Sequence, residues 1–388
     1  MPQHDMKQPL RNIGLLPIFF FIILSGCQSE TFDAEHYFPM PDPMPEIVSS
    51  EVQEFVADTL LTGLNRPWGM EFLPDGRILI AQRNGTIQIT NGVRDQTVAM
   101  EPHLPEGLRD LRIHPDFEET GWLYFSVYVE PDEEGHAYSK LMRGTVEGDQ
   151  LRNIEELYAA GPVRGGGGWT GSRIAFDREG YLYFAVGIRG ERMNSQDLLH
   201  HSGKTMRLHD DGSIPEDNPF VGRDDALPEI YSYGHREHQA LVPHPERDEI
   251  WSNEHGEFGG DELNRLEKGG NYGWPLATYS LEYDSTYVTP DTLLDGTVPP
   301  VHHWTPSISP SGMDFNRSRR YEGWYGDLFV GSLRQRLLNR TFGYEDGDPQ
   351  DEHLLPHIGR VRQVRSAPDG FIYFVTEDTG LLVRLLPA

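Results

Sequence analysis

Cysteine is nearly absent from this sequence: among 388 residues there is one, Cys27. A lone thiol excludes a fold stapled by disulfides within the chain. Basic residues are also scarce, 33 Lys and Arg against 61 Asp and Glu, for a formal net charge of −28. Binding to phosphate backbones needs a basic footprint, so nucleic acid is excluded as the main partner. Apolar residues make up only 37%, beside 41 Gly and 29 Pro, a balance that suits a turn-rich fold rather than a helical bundle. The one long hydrophobic run, "IGLLPIFFFIIL" from Ile13 to Leu24, is too short to span a bilayer. No amphipathic helical period extends beyond a few turns.

That short run follows Lys7 and Arg11 and ends in "LSGC", Leu24 to Cys27, as the core of a signal peptide does. Small residues before a lone cysteine resemble the lipobox of bacterial lipoproteins. The resemblance implies cleavage before Cys27, lipidation of that residue and an extracytoplasmic, lipid-anchored location, with Gln28 favouring the outer membrane in a Gram-negative host. Residues 27–51 are acidic, Pro-rich and without period, and read as a tether. No second linker follows, so residues 52–388 are expected to form one domain behind a signal peptide of residues 1–26.

One pattern recurs in that domain: a turn rich in Pro, Asp, Glu or Gly, then a short aromatic and aliphatic strand. It appears in "LPDGRILIAQ", "HPDFEETGWLYFSV", "DREGYLYFAVG", "HPERDEIWSNE", "YEGWYGDLFVGSL" and "APDGFIYFVTE". The strands are expected to start at Arg77, Trp122, Tyr181, Glu249, Asp327 and Phe371. Blades of four strands need about 40–50 residues, so six copies predict an all-β, six-bladed β-propeller. Ligand sites are then expected on the loops at one mouth of the channel.

Three constellations carry polar chemistry. "YGHREHQAL" places Arg236 after a strand, where its planar fork would suit a carboxylate or make a surface ion pair. "NEHGEFGGDELN" packs Glu254, Glu257, Asp261 and Glu262 among glycines, a composition that hard cations favour, without the spacing of an EF-hand. Arg334, Arg360 and Arg362 form the third. Alternation would put Arg360 and Arg362 on one face of a strand, which calls for an anion between them or for local carboxylates.

At these motifs the sequence resembles the soluble quinoprotein glucose and aldose sugar dehydrogenases of the glucose/sorbosone dehydrogenase family. "PWGMEFLPDGRILIAQR", "GKTMRLHDDGSIPEDNPF", "YSYGHR", "EHGEFGGDELN", "GGNYGWP", "TPSISPSGM" and "APDGFIYFVTEDTG" carry the likeness in order from about Leu64 to Leu385. The resemblance implies a six-bladed propeller binding pyrroloquinoline quinone (PQQ) with Ca²⁺. It implies oxidation of a small-molecule sugar or alcohol and an electron acceptor that the motifs do not specify. Arg236 matches the arginine at the quinone carbonyl, and Arg360 and Arg362 match the pair on the cofactor carboxylates. Arg334 stands where many members have lysine. Gly256 and Glu257 match the two backbone carbonyls on Ca²⁺.

The match fails on the substrate side. In "GGGGWTGSRIAF", Trp169 stands where the family has its histidine base, and an indole can donate but cannot accept a proton. Ile188 replaces the aspartate that orients that histidine, Glu237 replaces an asparagine, and Pro105 replaces a polar residue. Either another group serves as base, such as His200, His201, His238 or Glu237, or the chain is a non-catalytic propeller that binds PQQ, a glycan or a protein.

Overall fold

The structure, a computed structural model, describes residues 47–130, 133, 136–164, 171–188 and 191–388. Its strands form six antiparallel sheets in chain order. Their first strands, Pro67–Phe72, Leu108–Ile113, Gly171–Phe176, His238–Pro243, Pro310–Phe315 and Val361–Ser366, open blades 1 to 6. Each of these strands contacts the next, and the sixth contacts the first, so they line a closed ring. The all-β, six-bladed β-propeller predicted from the repeats is what forms. Glu54–Leu61 pairs with Leu382–Pro387, so both ends of the domain build blade 6. Val48–Ser49 adds an edge strand to it. Paired structure therefore begins inside the stretch expected to be tether.

The recurrent turns have a common geometry. In blades 1, 3 and 6 the amide of the first turn residue donates to the carbonyl four residues on: Leu73 to Arg77, Asp177 to Tyr181 and Ala367 to Phe371. The fourth residue is Gly76, Gly180 or Gly370, each with φ between 84° and 87°, where a Cβ would be strained. Every strand start expected from these turns falls within one residue of the second strand of a blade.

Those second strands are almost wholly buried because both of their faces are covered. Consecutive residues point to opposite neighbours. Ile80 packs with Tyr373 and Val375 of blade 6, while Leu79 packs with Leu111 and Phe125 of blade 2. Tyr124 joins Ile174 and Phe184 of blade 3, and the same layering continues round the ring. The core is a set of layers between blades. The first strands instead carry buried polar groups, including Arg109, Asp110, Arg173, Gln239, Ser311, Arg362 and Gln363. They bond from blade to blade: Ser311 Oγ donates to the Arg362 carbonyl of the neighbouring blade at 2.8 Å, and Arg173 Nη1 of blade 3 donates to Gln363 Oε1 of blade 6 at 2.8 Å.

Candidate active site

Two kinds of connection supply the site: the segment leading into the first strand of a blade, and the loop after its second strand. Both lie at the same mouth of the ring. Arg236 and Arg360 come from the first kind; Ile188, Gly256, Glu257, Arg334 and Glu377 come from the second. The loop carrying Ile188 is anchored by Lys204, whose ammonium donates to the carbonyls of Asn194, Ser195 and Ser202 at 2.8–2.9 Å. Trp169 and Cys27 lie outside the described residues.

Arg236 is tightly placed. Its amide donates to Glu254 Oε2 at 2.6 Å, its carbonyl accepts from Ile188 N at 2.7 Å, and its Nη1 donates to the His255 carbonyl at 2.9 Å. Its Nη2 pairs with Glu257 Oε2 at 3.3 Å, and the guanidinium lies 5.5 Å from the Trp274 ring. Arg192 holds the other oxygen of Glu257 at 3.0 Å. The Glu257 side chain is therefore part of the site, beyond the main-chain role implied by the motif.

The turn at Gly256 is held from outside. Gly256 N donates to Asp261 Oδ1 at 2.9 Å, and Glu257 N donates to Ser280 Oγ. The carbonyl oxygens of Gly256 and Glu257 accept no hydrogen bond from the described residues. A Cβ on Gly256 would stand 2.1 Å from the Gly259 carbonyl oxygen, so only glycine fits this turn. Burial pushes the Asp261 carboxyl up to about 6, against the donors that surround it.

Arg360 precedes its strand rather than lying on it, yet it and Arg362 converge on one carboxylate. Arg362 Nη2 lies 2.5 Å from Glu377 Oε2, and Arg360 Nε lies 3.4 Å from the same atom. Of the two explanations for paired arginines, the local carboxylate is present. Burial alone would raise the Glu377 carboxyl, but Arg362 and then Arg360 override it and hold it down at about 2. Arg334 is exposed on the rim, its guanidinium 5.0 Å from the Phe258 ring.

The substitute bases fare unequally. His201 uses both ring nitrogens, one on the Gly161 amide and one on Glu229. His238 is fully buried, and burial followed by the neighbouring His235 holds its imidazole down at about 3. His200 lies 3.2 Å from Asn194 Nδ2. Glu237 is buried and close-packed: a Cβ on Gly187 would fall 2.4 Å from its Oε2. Pro105 is exposed. His255, overlooked in the sequence although it sits in the Glu254–Gly256 motif, donates from Nε2 to the Pro310 carbonyl at 2.7 Å. Desolvation, then the Arg236 charge, holds it down at about 3.

This chain belongs to the Glucose / Sorbosone dehydrogenase family, whose profile matches residues 64–384. It is similar to the aldose sugar dehydrogenase of Escherichia coli, with 34% identity over 85% of this chain and 92% of the relative. The soluble aldose sugar dehydrogenase of E. coli in its apo-form superposes with a TM-score of 0.81 at 32% identity, covering 86% of this chain and 100% of that one. The PQQ-bound aldose sugar dehydrogenase of Streptomyces coelicolor superposes with a TM-score of 0.68 at 28% identity, covering 84% and 96%.

Proposed function

We propose that this chain is a PQQ- and Ca²⁺-binding oxidoreductase for the C–OH group of a sugar or alcohol, with its usual proton acceptor replaced, tethered to a membrane through Cys27. The observation that carries the reading is the meeting of Arg236, Arg360 and Arg362 with the Gly256–Glu257 turn at one mouth. Planar guanidinium forks suit the carboxylates of PQQ, and free backbone carbonyls beside a carboxylate suit Ca²⁺, so the residues present fit both groups. The PQQ-bound relative supports the same cofactor. Bound there, PQQ would supply an acceptor for the hydride of a carbinol carbon.

The chain's own residues would do the rest. Arg236 would stabilise developing negative charge, with Arg192 holding Glu257 in place. Arg360 and Arg362 would hold the cofactor carboxylates while still pairing with Glu377, and Arg334 would add a cation from the rim. Among the described candidates, His238 and His255 are held far below the range of a useful base, and His201 is fully bonded. This favours a second reading, a non-catalytic membrane-tethered propeller that binds PQQ, a glycan or a protein.

A titration with PQQ and CaCl₂ tests the cofactor reading. A ligand of the native state raises the melting temperature as its concentration exceeds Kd. No rise with PQQ and Ca²⁺ together overturns it. Absorbance changes of bound PQQ on adding aldoses then separate the catalytic reading from the binding one.

A further inference from the structure

Blade 4 carries a polar cluster that the cofactor reading leaves unused. His235 lies in the segment leading into its first strand, His238 opens that strand, and Glu254 closes the second strand, Ile250–Glu254. Antiparallel pairing sets His238 opposite Glu254, so both side chains stand on one face of the sheet. His235 joins them from the lead-in, its ring centroid 4.2 Å from that of His238. One nitrogen of each imidazole and one oxygen of the carboxylate lie within 4.8 Å of one another. All three side chains are buried, the two histidines completely.

The surroundings orient these groups as the neighbours of metal ligands do. His235 turns Nδ1 to Glu254 Oε1 at 3.1 Å and Nε2 to Ser232 Oγ at 2.9 Å. His238 sets Nε2 3.3 Å from Thr205 Oγ1, and its buried Nδ1 has no partner among the described residues. Asn264 Nδ2 donates to Glu254 Oε1 at 2.8 Å, and the Arg236 amide holds Oε2 at 2.6 Å. A buried imidazole nitrogen without a partner costs free energy that a bound ion would recover. A cavity of about 10 Å³, lined by Glu254 with Arg236, Gly256 and Trp274, adjoins the carboxylate and is room for about one water.

We propose that His235, His238 and Glu254 bind one transition-metal ion of the zinc class, distinct from the Ca²⁺ of the cofactor reading. Two imidazoles and a carboxylate suit zinc, whereas Ca²⁺ takes oxygen ligands. The ion takes the place of the hydrogen bond between His235 Nδ1 and Glu254 Oε1, with the imidazole proton on Nε2 facing Ser232 Oγ. Its place in the fold gives it a positioning role. It ties the lead-in of the first strand to the end of the second, and Arg236 and the Gly256 turn follow closely on those two anchors. The site is closed, as structural zinc sites are, so it is expected to fill as the chain folds. None of this depends on PQQ or on sugar oxidation.

Zinc alone is the probe. The untagged full chain, stripped with EDTA, is either refolded from urea with ZnCl₂ or titrated with it in the native state, and retained metal is measured by elemental analysis after gel filtration. One zinc per chain is expected by at least one route, with X-ray absorption showing two imidazoles in a shell at about 2.0–2.1 Å. His238→Ala should lower retained zinc about tenfold or more, since loss of even an orienting partner costs that much. No zinc by either route overturns the proposal, as does equal retention by folded His238→Ala or displacement of the zinc by excess CaCl₂. Where that variant fails to fold, the absorption spectrum of the unaltered chain decides, and a shell of oxygens alone overturns the proposal. Zinc held without any binding of PQQ leaves this site standing and removes only the cofactor reading.

Discussion

Individual side chains decide whether this mouth performs chemistry. Trp169 cannot accept a proton, and Ile188 offers only its amide, which it spends on the Arg236 carbonyl. Aldose oxidation in a dye-linked assay is therefore expected to be negligible with PQQ and Ca²⁺ bound. Trp169→His with Ile188→Asp should raise the rate more than either change alone, since a base and its orienting group act as a unit. Brisk glucose turnover by the unaltered chain would sink this expectation. Glu377 sets a second one. Its folded pKa of about 2 lies below the ordinary 4.5, so its pairing stabilises the fold above pH 4.5 and that contribution is lost as pH falls toward 2. Wild type should lose about 3 kcal/mol more than Glu377→Gln across that window, an upper figure for a group held by two cations. Parallel urea melts at pH 5 and pH 2.5 measure the difference; identical acid limbs would refute it.

At the scale of elements, loops in the same place in successive blades bring distant residues together. The turn at Gly256 owes its shape to the absence of a Cβ, with two amides tied outward and two carbonyls left over. Gly256→Ala must open the turn. It is expected to abolish the Ca²⁺-dependent part of the melting-temperature rise with PQQ, while circular dichroism of the unliganded chain stays unchanged. An intact Ca²⁺ effect in that variant would remove the turn from the cation site. Much of this was legible in the sequence. Each Pro-Asp-Gly or related turn announced a second strand, because such residues set the turn dihedrals locally. The alternation argument for Arg360 was less secure, since the strand begins one residue later and a shared carboxylate, not strand register, joins the pair.

On the scale of the whole molecule, the ring closes by pairing Glu54–Leu61 with Leu382–Pro387. Lipidation at Cys27 would then hold the domain at a membrane surface, and an anchor of more than one acyl chain is needed for stable attachment. Among the described residues no helix is long and apolar enough to cross a membrane. Cys27→Ser is expected to move the protein from the membrane fraction to the soluble one on fractionation; continued sedimentation with membranes would refute the anchor.

The sequence alone determined the blade count and the position of every second strand, and it singled out Arg236, Gly256, Glu257, Arg360 and Arg362 as candidates. These rest on local turn chemistry, alternation and collinear motifs, all of which act over short stretches of chain. It did not reveal Glu377 between two arginines, His255 against Pro310, or His238 opposite Glu254. Those partners sit on different strands and loops, and no local pattern encodes their meeting. Strand pairing and the packing of blade on blade set these groups face to face, so tertiary structure decided which polar side chains of this acidic protein share a partner.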